Sequence, residues 1–331
     1  MIARELLKKR WMRIVSAVDV AEEKVGRDLG EVLGLPSRLG LRIDRSLGEI
    51  SRKCRPEIFV HATTSSLCDI YPQIIECVEM GANVISTCEE LVYPYWGNAE
   101  LAHKLDEHAK DREVSVLGAG VNPGFLMDTL PIVMTCLCLE VEKINVARVM
   151  NSGKRRASYQ RKIGTGLTPD EFREKVAKRE ITGHVGLSVS IAMIADAIGW
   201  SLTDIMEEPL EPVIAEETIE TSFTTIKKGS VAGLRSTAYG LKDGEEKIRL
   251  DFISHAGIKE EYDYIEIKGR PPVRVRIEGG IHGDIGTAAI IINSIPKVIK
   301  STPGLHTMMD LPIPSAALKN VDGQIRVHKP L

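Results

Sequence analysis

Residues 57–87, EIFVHATTSSLCDIYPQIIECVEMGANVIST, decide the fold of this chain. An apolar, β-rich run over residues 57–62 indicates a buried strand, and a polar turn follows it. Residues 67–80 then carry apolar side chains at helical spacing, and Gly81 is typical of a residue that ends a helix. Residues 83–87 indicate a second strand. A strand, a helix and a strand in this order predict two parallel strands joined by a right-handed crossover.

The same alternation continues on both sides of this stretch. Residues 13–20 indicate an earlier strand, residues 98–110 a polar amphipathic helix, and residues 114–118 a further strand. Repeated strand–helix–strand order favours a parallel sheet with helices packed on it. The fold class predicted for the first part of the chain is therefore α/β, a doubly wound Rossmann-type sheet.

The second part of the chain changes character. A strand at residues 143–150 leads into a basic polar loop, residues 151–166, after which Thr168 and Pro169 are typical of the start of a helix. Further elements are an apolar helix at 186–200, alternating strands between 213 and 277, and a helix at 286–299. This pattern predicts an α+β domain with a mostly antiparallel sheet that could pair with a second subunit. The predicted divisions are 1–126, 127–300, and a C-terminal segment, 301–331, that packs back on the first domain.

Composition excludes several classes of function. The 331 residues carry a formal net charge of -3 and only 5% aromatic residues, which argues against nucleic-acid binding. No apolar run is long enough to cross a bilayer, and no secretory signal opens the chain, so we expect a cytoplasmic protein without membrane contact. The spacing of the six cysteines fits neither a disulfide framework nor a zinc site, and we expect no metal.

The beginning of the chain departs from the usual nucleotide-binding order. Such a fold normally opens with a strand, a glycine-rich turn and a helix, whereas residues 1–9 already indicate a helix. We therefore expect the first strand and its glycine turn to lie upstream of Met1, because the start was placed at an internal methionine or the chain was cut. The alternative is a fold that lacks this strand.

Candidate cofactor residues follow the strands of the first domain. Asp19 ends a strand, where an acid accepts hydrogen bonds from ribose hydroxyls and repels a 2′-phosphate. That position favours NAD over NADP, although Arg13 and Arg27 lie near it in sequence and leave NADP open. After the next strand, small or hydroxyl side chains would let the backbone approach a dinucleotide: Ala62, Thr63 and Thr64. An ordinary polar turn that caps the next helix is the alternative.

The strand at residues 83–87 ends in Thr87, and two acids, Glu89 and Glu90, follow it closely. The carboxyl ends of strands in open α/β sheets face the ligand crevice, so these side chains point to where a ligand would lie. A carboxylate there can act as a general base, or hold a substrate ammonium and stabilise an iminium cation. Adjacent glutamates at a helix start can also be simple surface or capping acids.

Two further turns carry candidate residues. In the turn Asn122-Pro123-Gly124-Phe125 the glycine permits close approach to a cofactor and the phenylalanine could wall a substrate pocket; a tight turn with a core aromatic is the alternative. A later glycine-rich turn places His282 and Thr287 at a helix start, where free N–H groups favour an anion or another ligand. Asp284 in that turn could instead be a plain helix cap.

Six long segments, taken in order, resemble the 2,4-diaminopentanoate dehydrogenases and the NAD(P)-dependent amine dehydrogenases. They are VSAVDVAEEKVGRDLGEVLGL (15–35), VISTCEELVYPYW (84–96), GAGVNPGFLMDTLP (118–131), KRRASYQRKIGTGLTPDEF (154–172), GHVGLSVSIAMIADAIGW (183–200) and GGIHGDIGTAAIIINSIPKV (279–298). The resemblance covers essentially the whole chain. It implies a homodimeric, two-domain oxidoreductase of the dihydrodipicolinate-reductase type that oxidises an amine carbon with NAD or NADP.

The resemblance also implies roles for particular residues. The family's active-site glutamate falls on Glu89, with Glu90 as the fallback, and its aromatic pocket residue falls on Phe125. For an amine dehydrogenase, the basic loop has a candidate role in substrate binding. A substrate carboxylate could be bound by Arg148, Asn151, Arg155 and Arg156, which favours an amino acid such as 2,4-diaminopentanoate over a plain amine. The alternative is a basic loop that is exposed to solvent and binds no ligand.

Two other functions remain open. The scaffold also suits a dihydrodipicolinate reductase or another amino-acid dehydrogenase, and it suits a non-catalytic NAD(P)-binding relative. For an amine dehydrogenase, the expected partners are a small-molecule amine or diamino acid and a second copy of the chain.

Overall fold

The computed structural model of this chain describes residues 1–316. The helices in that part of the chain are α1 Ile2–Leu6, α2 Leu29–Val32, α3 Leu47–Ser51, α4 Leu67–Glu79, α5 Ala99–Asp111, α6 Thr129–Thr135, α7 Ala157–Lys162, α8 Pro169–Ala177, α9 Leu187–Ala197 and α10 Gly283–Val298, with a 3-10 helix at Ser152–Lys154. The strands are β1 Ala17–Val18, β2 Ile43–Asp44, β3 Ile58–His61, β4 Asn83–Ser86, β5 Ser115–Gly118, β6 Glu140–Asn151, β7 Asp204–Glu207, β8 Glu211–Ile214, β9 Ile219–Glu220, β10 Thr225–Ile226, β11 Val231–Lys242, β12 Glu245–His255, β13 Tyr262–Arg270, β14 Val273–Glu278 and β15 Gly304–His306.

The chain forms two units. Within residues 1–316, the first joins Met1–Gly120 to the residues from Asp284 onward, and the second is Val121–Gly283. The helix predicted at residues 286–299 is therefore grouped with the first unit, whereas the sequence-based boundary placed it in the second domain. Of the predicted C-terminal segment, residues 317–331 lie outside the described part of the chain.

The first unit is built on a parallel sheet. Its described strands follow the order β15-β5-β4-β3, and every pairing between them is parallel, as the sequence predicted. Helices α4 and α5 bury their apolar faces against this sheet, because Leu67, Ile70 and Ile74 recur at helical spacing. Strands β1 and β2 form a separate parallel pair. The carboxyl ends of β3, β4 and β5 consequently meet at one edge.

The second unit is built on a mixed sheet with the order β14-β13-β6-β12-β11-β7, and β8 also pairs with β11. Among the described strands of this sheet, the β6–β12 pairing is the one that is parallel, so the prediction of a mostly antiparallel sheet is confirmed. One face is apolar and packs against α6, α8 and α9, with inward side chains such as Ile144, Leu250 and Ile265. Alternation along each strand sends the intervening polar side chains to the opposite face.

Three local predictions were wrong in detail. Strand residues 13–20 shrink to β1, because the sheet partner β2 reaches only Ala17 and Val18. The predicted loop 151–166 contains the 3-10 helix and α7, since the buried Gln160 side chain donates to the carbonyl of Arg155. Residues 219–226, which the alternation predicts as a single strand, form two short strands, because the Thr221 hydroxyl accepts the N–H groups of Phe223 and Thr224 and forms a turn. No helix of residues 1–316 is long and apolar enough to span a membrane.

Candidate active site

The turn after β4 is held by the neighbouring strands of the first unit. The N–H of Thr87 donates to the carbonyl of His61 over 3.0 Å, and the N–H of Ala119 donates to the carbonyl of Ser86 over 2.9 Å. Gly118 at the end of β5 lies against the main chain of Leu91: a Cβ on Gly118 would sit 2.3 Å from the carbonyl carbon of Leu91. Backbone contacts therefore fix the segment that carries the two predicted glutamates.

Glu90 caps a helix. Its Oε2 accepts the N–H of Leu67, the first residue of α4, over 2.8 Å, and it also accepts the side-chain amide of Asn98 over 3.3 Å. A carboxylate on the unsatisfied N–H groups of a helix start stabilises that helix. The Glu90 carboxylate is thus engaged in holding the fold.

Glu89 is placed differently. It is half-buried, and its carboxylate makes no hydrogen bond or ion pair with any residue in the described part of the chain. Its backbone carbonyl accepts the N–H of Val92 over 3.2 Å, so the main chain is anchored while the side chain is not. Of the two predicted acids, Glu89 is the one whose carboxylate is available to a ligand.

A histidine network supports this turn, and the sequence analysis gave it no role. His61 Nε2 lies 2.9 Å from Gln73 Oε1, and His61 Nδ1 lies 2.9 Å from Ser86 Oγ. Because an amide oxygen only accepts, Nε2 carries the proton and Nδ1 accepts from Ser86. Burial lowers the pKa of His61, while the bond to Gln73 acts in the opposite direction. The Ser86 hydroxyl in turn accepts the N–H of Cys88 over 3.1 Å, one residue before Glu89.

The predicted cofactor residues of the first unit are accessible. Ala62, Thr63 and Thr64 are all exposed at the end of β3. Asp19 is half-exposed at the end of β1, where it accepts Lys24 Nζ over 2.7 Å and the N–H of Ala21 over 2.9 Å. Partial burial acts to raise the pKa of Asp19, but these hydrogen bonds hold it below its ordinary value.

These residues fit one part of a dinucleotide. An ionised acid at a strand end is what ribose recognition requires, and small exposed side chains at the end of β3 would let a dinucleotide approach the backbone. The residues between α1 and β1, 7–16, contain no glycine, so the described chain offers no glycine-rich turn for a pyrophosphate at that point.

The Asn122 turn lies in the second unit. Asn122 Nδ2 donates to His184 Nε2 over 2.8 Å, and its Oδ1 is buried without a hydrogen-bond partner in the described chain. The His184 ring stacks on Phe252 with centroids 4.4 Å apart. Burial, followed by the positive charges of Arg148 and Lys162, lowers the pKa of His184 to about 3, so the imidazole is neutral and accepts. The unsatisfied Asn122 oxygen suits a ligand that donates N–H, as a carboxamide does.

A buried acid fixes that turn. The carboxylate of Asp128 accepts the N–H of Gly124 over 2.7 Å and the hydroxyl of Ser190 over 2.7 Å. Burial raises the pKa of Asp128, although these hydrogen bonds oppose the shift. The ring of Pro123 packs against Gly186, where a Cβ would lie 2.7 Å from the ring. Pro123 and Gly124 are buried, and the predicted pocket residue, Phe125, is half-buried.

A cavity of about 150 Å³ opens beside β6 in the second unit. Its wall consists of Arg148, Val149, Met150, Asn151, Lys154, Arg155, Glu261, Asp263, Gly279, Gly280, Ile281 and His282. The structure thus brings four of the predicted substrate residues together, namely Arg148, Asn151, Arg155 and His282. The other two do not line this cavity: Phe125 belongs to the Asn122 turn, and Thr287 lies on α10 in the first unit.

Arg148 is committed to a buried ion pair. Its guanidinium donates to Asp263 Oδ1 over 2.9 Å, and both side chains are almost fully buried. The other guanidinium nitrogen donates to the carbonyl of Ile281, while Asp263 Oδ2 accepts the N–H of Ile281 over 2.8 Å. The ion pair therefore binds both the N–H and the carbonyl of Ile281, and it holds the glycine-rich turn that contains Ile281 against the sheet.

Asn151 has a similar structural task. Its Oδ1 accepts the N–H of Gly153 over 2.9 Å, and its Nδ2 donates to the carbonyl of Ile258 over 3.0 Å. Its own N–H donates to Glu261 Oε2 over 2.9 Å. Glu261 also receives Lys154 Nζ on its other oxygen, over 3.1 Å. Neither Glu261 nor Asp263 is singled out by the sequence alone.

Comparisons with known proteins agree with this architecture. The family profile described as "2,4-diaminopentanoate dehydrogenase C-terminal domain" matches residues 125–327. The chain is 35% identical over 325 residues to 2,4-diaminopentanoate dehydrogenase of Acetoanaerobium sticklandii, covering 96% of this chain and 91% of that protein. It is 23% identical over 320 residues to amine dehydrogenase of Streptomyces virginiae, covering 88% and 86%. The structure of amine dehydrogenase from Mycobacterium smegmatis shares the fold, with a TM-score of 0.82, 23% identity, and 96% and 93% coverage.

The parallel-sheet unit, the mixed-sheet unit and these relatives together define an oxidoreductase of the dehydrogenase class. Membership of that class implies a nicotinamide cofactor. More narrowly, the chain belongs to the 2,4-diaminopentanoate dehydrogenase family. The resemblance drawn from the sequence is thereby confirmed.

Proposed function

We propose that this enzyme oxidatively deaminates a diamino acid, 2,4-diaminopentanoate, to 2-amino-4-oxopentanoate and ammonia, and that it runs reversibly as a reductive amination. The observation that carries the proposal is the half-buried Glu89 carboxylate at the carboxyl edge of the parallel sheet, with no partner in the described chain. The named relative at 35% identity supports the choice of substrate.

Glu89 would manage the protons of the reaction. Its carboxylate accepts a proton from the substrate ammonium, which leaves a neutral amine that can release hydride from the carbon. A nicotinamide, when bound, accepts that hydride. Glu89 would then release this proton to solvent, and the restored carboxylate would stabilise the iminium cation and take a proton from the water that adds to it, which it passes to the nitrogen of the adduct. Collapse of the adduct gives the ketone and ammonia.

Each unit by itself carries candidate cofactor residues. In the first unit we assign the ribose to Asp19 and the approach of the dinucleotide to Ala62, Thr63, Thr64 and Thr87. In the second unit we assign it to Asn122, Pro123 and Gly124, with the unsatisfied Asn122 oxygen accepting from the carboxamide. An ionised Asp19 repels a 2′-phosphate, so we propose a preference for NAD.

The test uses two adjacent glutamines. Glu89→Gln should lower kcat for 2,4-diaminopentanoate by about a hundredfold, the scale of a lost general base. Glu90→Gln is the matched control: it weakens the cap of α4 and should cost about 1 kcal/mol of stability while kcat stays within about threefold. NAD(P)H absorbance measures turnover, and urea unfolding measures stability. Near-normal turnover of Glu89→Gln would reject Glu89 as the base.

We also propose a homodimer formed across the second sheet. Ala147, Ile253, Tyr262 and Tyr264 lie on the face opposite the helices, outside the apolar core, and remain half-exposed. A half-exposed face that carries aromatic and aliphatic side chains among polar ones is suited to a symmetric contact with its own copy. Light scattering should give twice the chain mass for the wild type and a smaller mass for Tyr264→Glu. A monomeric wild type at micromolar concentration would rule this interface out.

A further inference from the structure

We propose that His61 is a positioning residue of the reaction, because it orients the Ser86 hydroxyl and thereby fixes the turn that carries Glu89. The inference rests on the proposed function in one respect, that the Glu89 carboxylate meets the substrate. It adds a residue that acts on the reaction through another residue, and not by contact with the substrate.

The parallel sheet of the first unit brings His61 and Ser86 together. Each is the last residue of its strand, β3 or β4, and their Cα atoms are partners in the register of that pair. Side chains at partnered positions of neighbouring strands lie on the same face of a sheet. The imidazole therefore lies beside the hydroxyl, with His61 Nδ1 2.9 Å from Ser86 Oγ.

The direction of these hydrogen bonds follows from Gln73. Its Nε2 donates to the carbonyl of Asp69 over 3.5 Å, which leaves Oε1 facing His61 Nε2 over 2.9 Å. An amide oxygen only accepts, so Nε2 of His61 donates and Nδ1 accepts from the Ser86 hydroxyl. The Thr63 hydroxyl, 3.1 Å from the same Nε2, agrees with that direction because its oxygen also accepts. Burial lowers the pKa of His61, although the bond to Gln73 opposes the shift, and a lowered pKa favours the neutral ring.

The Ser86 hydroxyl is fully buried and takes part in two hydrogen bonds. It donates to His61, and it accepts the N–H of Cys88 over 3.1 Å. A hydroxyl rotates about its C–O bond, so a fixed acceptor determines where its lone pairs point. A hydroxyl that donates is also a better acceptor, because hydrogen bonds in a chain polarise one another. His61 therefore directs and strengthens the bond that holds the peptide of Cys88.

Glu89 depends on its main chain for its position. Its carboxylate makes no hydrogen bond or ion pair with any residue in the described part of the chain. The two peptide groups before it are held by this network: the Thr87 N–H donates to the carbonyl of His61 over 3.0 Å, and the Cys88 N–H donates to Ser86. A displacement of about 1 Å can cost a reacting group about a hundredfold in rate. Loosening the Cys88 peptide should therefore lower kcat.

Two replacements of His61 separate its bond to Ser86 from its bond to Gln73. Oδ1 of asparagine, like Nδ1 of histidine, is bonded to Cγ, whereas the amide of glutamine lies one bond further out, near the position of Nε2. His61→Asn should keep the acceptor for Ser86 and lower kcat less than about threefold, whereas His61→Gln should lower it about tenfold or more. KM for 2,4-diaminopentanoate should stay within about threefold in both, because the loss concerns the transition state.

A double-mutant cycle shows whether His61 acts through Ser86. Ser86→Ala removes both bonds of the hydroxyl, so adding His61→Gln to it should lower kcat no further. His108→Gln is the matched control, because His108 is an exposed histidine of α5 whose Nδ1 donates to the carbonyl of Lys104 over 2.9 Å. That control should leave both kcat and KM unchanged. NAD(P)H absorbance measures turnover in every variant.

Amide hydrogen exchange gives a readout that does not depend on turnover. The Cys88 N–H should exchange about tenfold or more faster in His61→Gln than in the wild type, and His61→Asn should retain its protection. The N–H of Val116, in the centre of the sheet, reports general opening and should not change.

Four outcomes would overturn the inference: equal exchange at Cys88 in all three proteins, an equal rise at Val116, equal kcat of the Asn and Gln variants, or additive losses in the double variant. If the wild type oxidises no amine, the proposed function fails, and exchange at Cys88 then decides the link from His61 to the turn by itself.

Discussion

Replacement of Arg148 by methionine should destabilise the second unit strongly. The substitution removes the partner of Asp263, whose carboxylate would keep only the N–H of Ile281 in a site that is almost closed to water. Breaking a buried ion pair on one side costs about 3–5 kcal/mol, because the remaining charge is desolvated and uncompensated. The carbonyl of Ile281 loses its donor as well, which adds to the effect in the same direction.

A double-mutant design separates the pair from general damage. Arg148→Met combined with Asp263→Leu removes both charges, so the double variant should be more stable than either single variant. Arg274→Met is the matched control, because its ion pair with Glu266 involves an arginine side chain that is 71% exposed. That control should cost less than about 1 kcal/mol. Urea unfolding followed by circular dichroism gives the free energies. A loss below about 1 kcal/mol for Arg148→Met, or additive effects in the double variant, would refute the reasoning.

Three other outcomes are expected. His184 has a folded pKa of about 3 against 6.5 in the unfolded chain, so the unfolded state binds the extra proton and stability falls as the pH drops through that window; His184→Gln should reduce the slope of unfolding free energy between about pH 6 and pH 4 by up to about 1.4 kcal/mol per pH unit. Asp19→Ala should weaken NADH about tenfold and NADPH little, by fluorescence titration, and an unchanged ratio would remove Asp19 from the ribose site. Gly118→Ala should cost about 1–3 kcal/mol in thermal unfolding, since its Cβ meets the main chain of Leu91; a neutral result would contradict that contact.

The sequence predicted what periodicity controls. The elements within residues 57–87 match the structure to within a residue or so at each end, because strand and helix periods differ and glycine marks the helix end. The basic loop was mispredicted because α7 depends on the buried contacts of Gln160, which are tertiary. Short strands such as β1 depend on their partner for their length, and a partner cannot be read from the strand itself.

The sequence predicts which strand ends carry candidate site residues, but it does not show which of these side chains are engaged in holding the fold. Glu89 and Glu90 are candidates because both follow a strand of the parallel sheet. The structure shows that Glu90 is the engaged one, because it accepts the N–H of Leu67, 23 residues earlier in the chain. Asp263 falls in phase with inward apolar residues of β13, as Arg148 does in β6. A charge at an inward position signals a buried partner, yet alternation alone does not say which residue that partner is.

The position of β6 also shapes how the polypeptide is made. Ile144 of β6 pairs with Ile248 on one side and with Ile267 on the other, so both neighbours come from segments about a hundred residues later. A ribosome adding about 5–20 residues per second leaves this central strand without either neighbour for roughly 5–20 s. During that interval its apolar face and open edges are exposed to other nascent chains. Assembly of the mixed sheet should therefore be the slow, aggregation-prone stage of biosynthesis, and the stage at which a chaperone would have its effect.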